Sequence, residues 1–189
     1  MIKKLIVVPF LFLLTNFILQ TDQTEKVKDF TLKDYTGAVH SLYNYKESKA
    51  VVIMFIATRC PVSNGYNARM EKLFEDYNDK NVTFLGINSN KQESVEEIAE
   101  HAKKNDLRFT ILKDPGNKIA DEFKASFTPE IYVLNNNFEI LYHGRIDDSR
   151  RGDNIQHQDL RNALDEILAG KKVSVQKTKA FGCTIKRID

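Results

Sequence analysis

The chain has 189 residues, 28 Lys and Arg against 26 Asp and Glu, and only two cysteines. Lys3 and Lys4 account for the formal excess of +2, so the remainder is charge-balanced and lacks the one-sided charge that a nucleic-acid or acidic partner would select. The length suits one domain with a proper core, and two cysteines are too few to be its folding framework.

Residues 1–20 read as a secretory signal. Met1-Ile2-Lys3-Lys4 is a short basic start, and Leu5 to Leu19 is apolar apart from Thr15 and Asn16. A spanning helix needs about 20 apolar residues, so no stable membrane span is expected after cleavage near Gln20. No cysteine follows the run to carry a lipid. The expected destination is the periplasm or the exterior, where a disulfide is permitted. Residues 21–29 are polar and read as a linker, residues 30–170 as the domain, and residues 171–189 as an extended tail.

Phe30-Thr31-Leu32, Val39 and Leu42 around Tyr35-Thr36-Gly37 predict a small edge hairpin. Val51 to Ile56 is a continuous, β-branched apolar run, which predicts a central strand buried on both faces. Val62, Tyr66, Leu73, Phe74 and Tyr77 then share one helical face, in a helix begun by Pro61 and ended by residues 78–81. Val82 to Ile87 is a second core strand. Ser94-Val95-Glu96-Glu97 is a capping box with Ile98 and Ala102 behind it. A short strand at Phe109 to Leu112, a turn at Asp114-Pro115-Gly116-Asn117 and a short helix with Ile119, Ala120 and Phe123 follow. Ile131 to Leu134 and Phe138 to Tyr142 flank three asparagines and predict a hairpin. Gln158 to Ala169 is a last helix stopped by Gly170. Strands alternating with helices imply a parallel core sheet covered on both faces and closed by one antiparallel ribbon.

The two cysteines stand 123 positions apart. Cys60 lies in Thr58-Arg59-Cys60-Pro61-Val62-Ser63, where the apolar run ends and the helical pattern starts. Proline at the first helical position and the unsatisfied N–H groups of a helix start both suit a thiolate there. The bland alternative is an inert buried thiol. Arg59 either helps to hold the thiolate or is a solvated side chain. Arg145, Asp147 and Asp148 either line the site or form weak local ion pairs, and Arg145 is retained as a candidate because the tail must dock somewhere. His40, His101, His143 and His157 show no metal-ligand spacing, so no metal site is expected. Arg151-Gly152-Asp153 and Asn81-Val82-Thr83 match short motifs that chance produces easily.

Five pieces in this order resemble a known group. They are Cys60-Pro61-Val62-Ser63-Asn64, Gly86-Ile87-Asn88-Ser89-Asn90, Thr128-Pro129, Gly144-Arg145-Ile146-Asp147-Asp148 and Gly182-Cys183-Thr184-Ile185-Lys186. Together with the element order they resemble the redoxins of the thioredoxin fold, in the peroxiredoxin-like branch that includes the alkyl hydroperoxide reductase and thiol-specific antioxidant relatives. The resemblance implies a three-layer α/β/α sandwich with a central mixed sheet. It implies that Pro129 is a cis proline facing Cys60, beside a strand edge able to accept an extended peptide, with Thr128 and Pro129 as the substrate platform. Two departures matter. Ser63 stands where thioredoxins carry a second cysteine, and Ala57 and Ile53 stand where peroxiredoxins carry threonine and proline.

Cys183 has three readings: a resolving thiol for Cys60, a permanent structural partner of Cys60, or an unrelated tail thiol. The first leads to the expected activity, an exported thiol–disulfide oxidoreductase with Cys60 as nucleophile and Cys183 as resolver. It would act on a disulfide-containing protein or a peroxide and be reset by an external dithiol, with no organic cofactor. The runners-up are a thiol peroxidase and a non-catalytic binding module held by a structural bridge.

Overall fold

The structure, a computed structural model, describes residues 25–188. The expected signal at residues 1–20 lies outside the described residues, as do residues 21–24 of the expected linker. In chain order the strands are β1 (Thr31–Asp34), β2 (Val39–Ser41), β3 (Ala50–Phe55), β4 (Val82–Asn88), β5 (Thr110–Lys113), β6 (Phe127–Thr128), β7 (Glu130–Leu134), β8 (Ile140–Gly144) and β9 (Cys183–Thr184). The helices are α1 (Pro61–Asn64), α2 (Asn67–Tyr77), α3 (Val95–Lys104), α4 (Lys118–Glu122) and α5 (Asp159–Leu168).

Seven strands form one mixed sheet in the order β2-β1-β5-β4-β3-β7-β8. β3, β4 and β5 run parallel, and β1, β7 and β8 pair antiparallel with their neighbours. The uninterrupted apolar run of β3 is explained by its place at the centre, where all six residues are buried. Its alternate side chains feed two cores. Ala50, Val52 and Met54 face α2, α3 and α5, while Val51, Ile53 and Phe55 face α4 and the chain entering β1. Each fully buried side chain of this size contributes about 1.5–3 kcal/mol. The result is the three-layer, thioredoxin-like sandwich that the resemblance implied.

The capping box forms as read: the Glu97 N–H donates to Ser94 Oγ at 3.2 Å, and the Ser94 N–H donates to Glu97 Oε2 at 2.8 Å. Two expectations need correction. The single helix expected after Cys60 is two pieces, because the Tyr66 N–H donates three residues back to Ser63 O and the chain re-enters a helix only at Asn67. The apolar face survives the break, with Tyr66, Met70 and Tyr77 buried. The linker expected at 21–29 is also too long. Val27 is buried, its N–H donates to Phe138 O, and Lys26 bridges Glu139, so this stretch is tied to the domain through Val27 while Glu25, Lys26, Lys28 and Asp29 stay exposed.

The tail is firmly seated on the domain. Val173, Ala180 and Ile185 are buried. The Thr178 N–H donates to His143 O and the His143 N–H to Gln176 O, so the tail crosses β8 before reaching β6.

Candidate active site

Cys60 ends the loop after β3 and caps α1. The Ser63 N–H points at its Sγ from 3.3 Å, and the residue is 4 % exposed. Because α1 is a single turn, support for a sulfur anion rests on this directed N–H rather than on the dipole of a long helix. Ser63 is itself fixed, since its Oγ accepts the Ala57 N–H at 3.2 Å. The position that thioredoxins give to a second cysteine thus holds a buried structural hydroxyl.

Cys60 is joined to Cys183 in a disulfide with Cα atoms 5.9 Å apart. Of the three readings of Cys183, the unrelated tail thiol is therefore excluded. The Thr128–Pro129 bond is cis, and the Thr128 carbonyl oxygen lies 3.3 Å from Cys60 Sγ. Thr128 pairs with Cys183 across the β6–β9 ladder, and its Oγ1 donates to Cys183 O at 3.4 Å. Cys60, Cys183, Thr128 and Pro129 are brought together. Cys183 is half-buried and is the more accessible of the two sulfur-bearing residues.

The two arginines are engaged elsewhere. The exposed Arg59 guanidinium donates to Glu97 on α3. Arg145 donates through Nε to Asp159 Oδ2 at 2.7 Å on α5, and only its backbone N–H reaches the tail, at Thr178 Oγ1. Asp147 is buried and pairs with Arg69, and it also accepts from the Tyr66 hydroxyl. Burial and the neighbouring Asp147 push the Tyr66 hydroxyl well above its ordinary value, so it remains a donor.

Glu93, Lys113 and Glu130 also build the site and were not singled out in the sequence. Glu93, 2 % exposed, accepts the N–H groups of Thr58 and Arg59 at 2.7 and 3.2 Å, and so clamps the loop that presents Cys60. Asn88 and Asn90 donate their amides to the same carboxylate. Lys113 Nζ then donates to Asn88 Oδ1, Asn90 O and Glu93 O. Burial pushes its ammonium below the ordinary value, against the pull of Glu93. Glu130, next to the cis proline, accepts the N–H groups of Ser126 and Phe127 and meets His143 Nε2 at 2.7 Å. Burial alone would raise the Glu130 carboxyl, but its bonds with His143, Ser126 and Phe127 outweigh that and hold it below its ordinary value. The Gly86–Asn90 motif was a signal for the first group. Glu130 adjoined Thr128-Pro129 and carried no periodicity of its own.

Among the described residues no group of acidic, histidine or cysteine side chains could hold a metal, and no helix is long and apolar enough to cross a membrane.

A solved structure of a hypothetical protein from Sinorhizobium meliloti superposes with a TM-score of 0.81 at 30 % identity, covering 87 % of this chain and 94 % of that one. The thiol-disulfide oxidoreductase ResA of Halalkalibacterium halodurans is 27 % identical over 62 % of this chain and 65 % of its own length. The chloroplastic peroxiredoxin Q of Sedum lineare is 31 % identical over 57 % of this chain and 60 % of its own length. The chain therefore spans less than two thirds of the length of these two curated relatives. The pattern of the AhpC/TSA family matches residues 24–149, two thirds of the sequence, and the chain belongs to that family.

Proposed function

We propose that the chain is a thiol–disulfide oxidoreductase in which Cys60 is the nucleophile, Cys183 the resolving partner, and Thr128 and Pro129 the platform on which the substrate lies. The observation that carries this reading is the joining of Cys60 to Cys183 beside a cis proline, with no second cysteine near α1. The likeness to a protein named as a thiol-disulfide oxidoreductase supports it.

In the forward direction the Cys60 thiolate, hydrogen-bonded by the Ser63 N–H, attacks one sulfur of a substrate disulfide. The substrate S–S bond breaks, its other sulfur leaves as a thiolate, and a mixed disulfide remains on Cys60. The Cys183 thiolate then attacks Cys60 Sγ, expels the substrate's second sulfur and closes the internal disulfide. Two electrons and two protons have passed to the substrate. An external dithiol resets the pair, attacking Cys183 because Cys60 is almost wholly shielded. Cys60 is then the leaving sulfur, and the Ser63 N–H stabilises it as it departs. The reaction requires no organic cofactor. The apolar run at Leu5 to Leu19 supports an exported site of action, where the external dithiol would be met.

Peroxide reduction is the second reading, favoured by the likeness to peroxiredoxin Q. Ala57 stands where peroxiredoxins place a threonine, and the N–H that reaches Cys60 Sγ is that of Ser63. Little is therefore available to polarise an O–O bond. Rapid mixing of the reduced protein with hydrogen peroxide and, separately, with a protein disulfide tests the choice. Fast loss of the Cys60 thiol to the disulfide and sluggish sulfenic acid formation support exchange. The reverse order supports a peroxidase.

A further inference from the structure

Two segments of chain bring the sulfur atoms together, and both are held by the short stretch that follows β4. On one side, Glu93 accepts the N–H groups of Thr58 and Arg59, the two residues before Cys60. On the other, the Lys186 N–H, three residues past Cys183, donates to Asn90 Oδ1 at 2.7 Å, and Lys186 O accepts the Lys91 N–H at 2.9 Å. The two sides meet in one hydrogen bond. Asn90 Nδ2 donates to Glu93 Oε1 at 3.0 Å, the same oxygen that accepts the Arg59 N–H. The path from one cysteine segment to the other therefore runs from the Arg59 N–H through the Glu93 carboxylate and the Asn90 amide to the Lys186 N–H.

The side chain at position 90 is suited to this link. An amide offers a donor and an acceptor on one short stem, and here each serves a different segment. An aspartate would instead set a second carboxylate against Glu93. Asn90 is buried, and its backbone oxygen accepts the Glu93 N–H at 3.2 Å and Lys113 Nζ at 2.7 Å, so the residue is fixed on its own side as well. None of these bonds involves sulfur. Opening the disulfide removes none of their donors or acceptors.

We propose that Asn90 is a positioning residue for the resolving step: it holds the Cys183 segment against the loop that presents Cys60 while the disulfide is open, so that Cys183 reaches a mixed disulfide on Cys60 before an external thiol does. The inference rests on the reading of Cys60 as nucleophile and Cys183 as resolver, and adds what keeps the two within reach. In that step the Cys183 thiolate attacks Cys60 Sγ, the bond from Cys60 to the partner sulfur breaks, and the partner leaves as a thiolate. The proton that Cys183 gave up to solvent is taken up by the departing sulfur. One S–S bond replaces another, with no net change of oxidation. Asn90 acts through the two segments, by setting the effective concentration of Cys183 at Cys60.

The test equilibrates reduced full-length protein with glutathione and its disulfide, quenches with acid, and separates by peptide mapping the form with Cys60 joined to glutathione from the form with the closed internal bond. Both forms hold Cys60 in a disulfide, so their ratio at fixed glutathione reports the delivery of Cys183 and not the reactivity of Cys60. Asn90→Ala is expected to lower the proportion of closed bond on the order of fivefold, the worth of one hydrogen bond. Lys186→Pro removes the same bond from the tail side and leaves Asn90 and Glu93 in place. It is expected to lower the ratio by a similar factor, and it serves if Asn90→Ala does not fold, as judged by circular dichroism. Because the bond is shared, the double variant is expected to fall no further than Asn90→Ala alone. An unchanged ratio in the single variants, or losses that simply add in the double, would overturn the proposal.

A second measurement is independent of exchange chemistry. In Cys183→Ser no internal bond can form. Its Ile185 and Lys186 amides are expected to remain protected from hydrogen exchange and to lose about fivefold of that protection when Asn90→Ala is added. No protection in Cys183→Ser would mean that the sulfur bond alone holds the tail, and would overturn the proposal. If glutathione exchanges with Cys60 while the ratio is flat across the variants, the role of Asn90 falls and the chemistry stands. If the wild-type bond never opens while the protection pattern holds, the role of Asn90 in seating the tail stands and the chemistry falls.

Discussion

Cys183 lies directly opposite Thr128 in the β6–β9 register, and the Thr128 carbonyl stands 3.3 Å from the sulfur to which Cys183 is joined. Backbone pairing and covalent bond therefore reinforce each other. The ladder brings the tail sulfur to Cys60 without help from a neighbouring cysteine, and the bond closes over a separation of 123 residues. A reduced tail tethered beside this edge presents its thiol at high local concentration, which is what a resolving residue requires.

The two cysteines should fail differently. Cys60→Ser is expected to abolish turnover. Cys183→Ser should still perform the first attack and then stall as a mixed disulfide with substrate, visible by intact-mass measurement. Both lose the bridge, and in the chain-entropy view a loop this long loses about 4–5 kcal/mol of stability, readable by urea denaturation of oxidised wild type against either variant. Full turnover by Cys183→Ser would remove the resolving role.

The tail's seat on β8 should be as demanding as its seat on β6. A Cβ on Gly144 would meet Thr178 Oγ1 at 2.0 Å and the Thr178 backbone N and O at 2.9 Å. Backbone cannot swing aside as a flexible side chain does. Gly144→Val is predicted to cost about 1–3 kcal/mol by overpacking and to raise hydrogen exchange across residues 176–185. Unchanged exchange there would show that the tail does not depend on that approach.

Acid should loosen the strand that faces the tail. The folded Glu130 carboxyl titrates below its ordinary value of 4.5, so the folded protein binds fewer protons there than the unfolded chain. Its stabilising contribution is complete above that value and is lost as pH falls through the lower, folded one. Glu130→Gln is predicted to cost about 1–3 kcal/mol at neutral pH, through imperfectly satisfied donors on Ser126 and Phe127, and to flatten the acid limb of stability against pH. An unaltered acid limb would count against the role of this carboxylate.

Restoring the missing cysteine should redirect the bond. Ser63 is buried three residues after Cys60, and its N–H already points at the sulfur. S63C is expected to pair Cys60 with the new cysteine and leave Cys183 alkylatable under oxidising conditions. Non-reducing peptide mapping reads this directly, and retention of the Cys60–Cys183 link would show that tail docking outcompetes a near neighbour.

Much of this was legible in the sequence, because long elements carry periodicity. The run at Val51 to Ile56 and the capping box at Ser94 appear where they were read, and the hairpin around the three asparagines forms with its second strand two residues later than read, at Ile140–Gly144. Short elements do not announce themselves. β6 and β9 are two residues each, below any pattern length, and they exist only because each supplies the other's hydrogen bonds. The break before Asn67 was hidden because Val62, Tyr66, Leu73 and Tyr77 keep a common face across it. Glu93 and Glu130 look like ordinary surface acids. Their importance comes from the backbone N–H groups that gather around them, and chain spacing does not reveal that.

The central claim is that the bond between Cys60 and Cys183 turns over. It is met most directly by equilibrating the protein against dithiol buffers of graded potential, trapping free thiols with an alkylating reagent, and mapping which cysteines are modified. A redox-active pair is predicted to open and close reversibly at a potential above about −300 mV, with the fold retained in the reduced form. A bond that stays closed to more reducing potentials, or a chain that unfolds when it opens, would mean that it serves only to hold the tail in place.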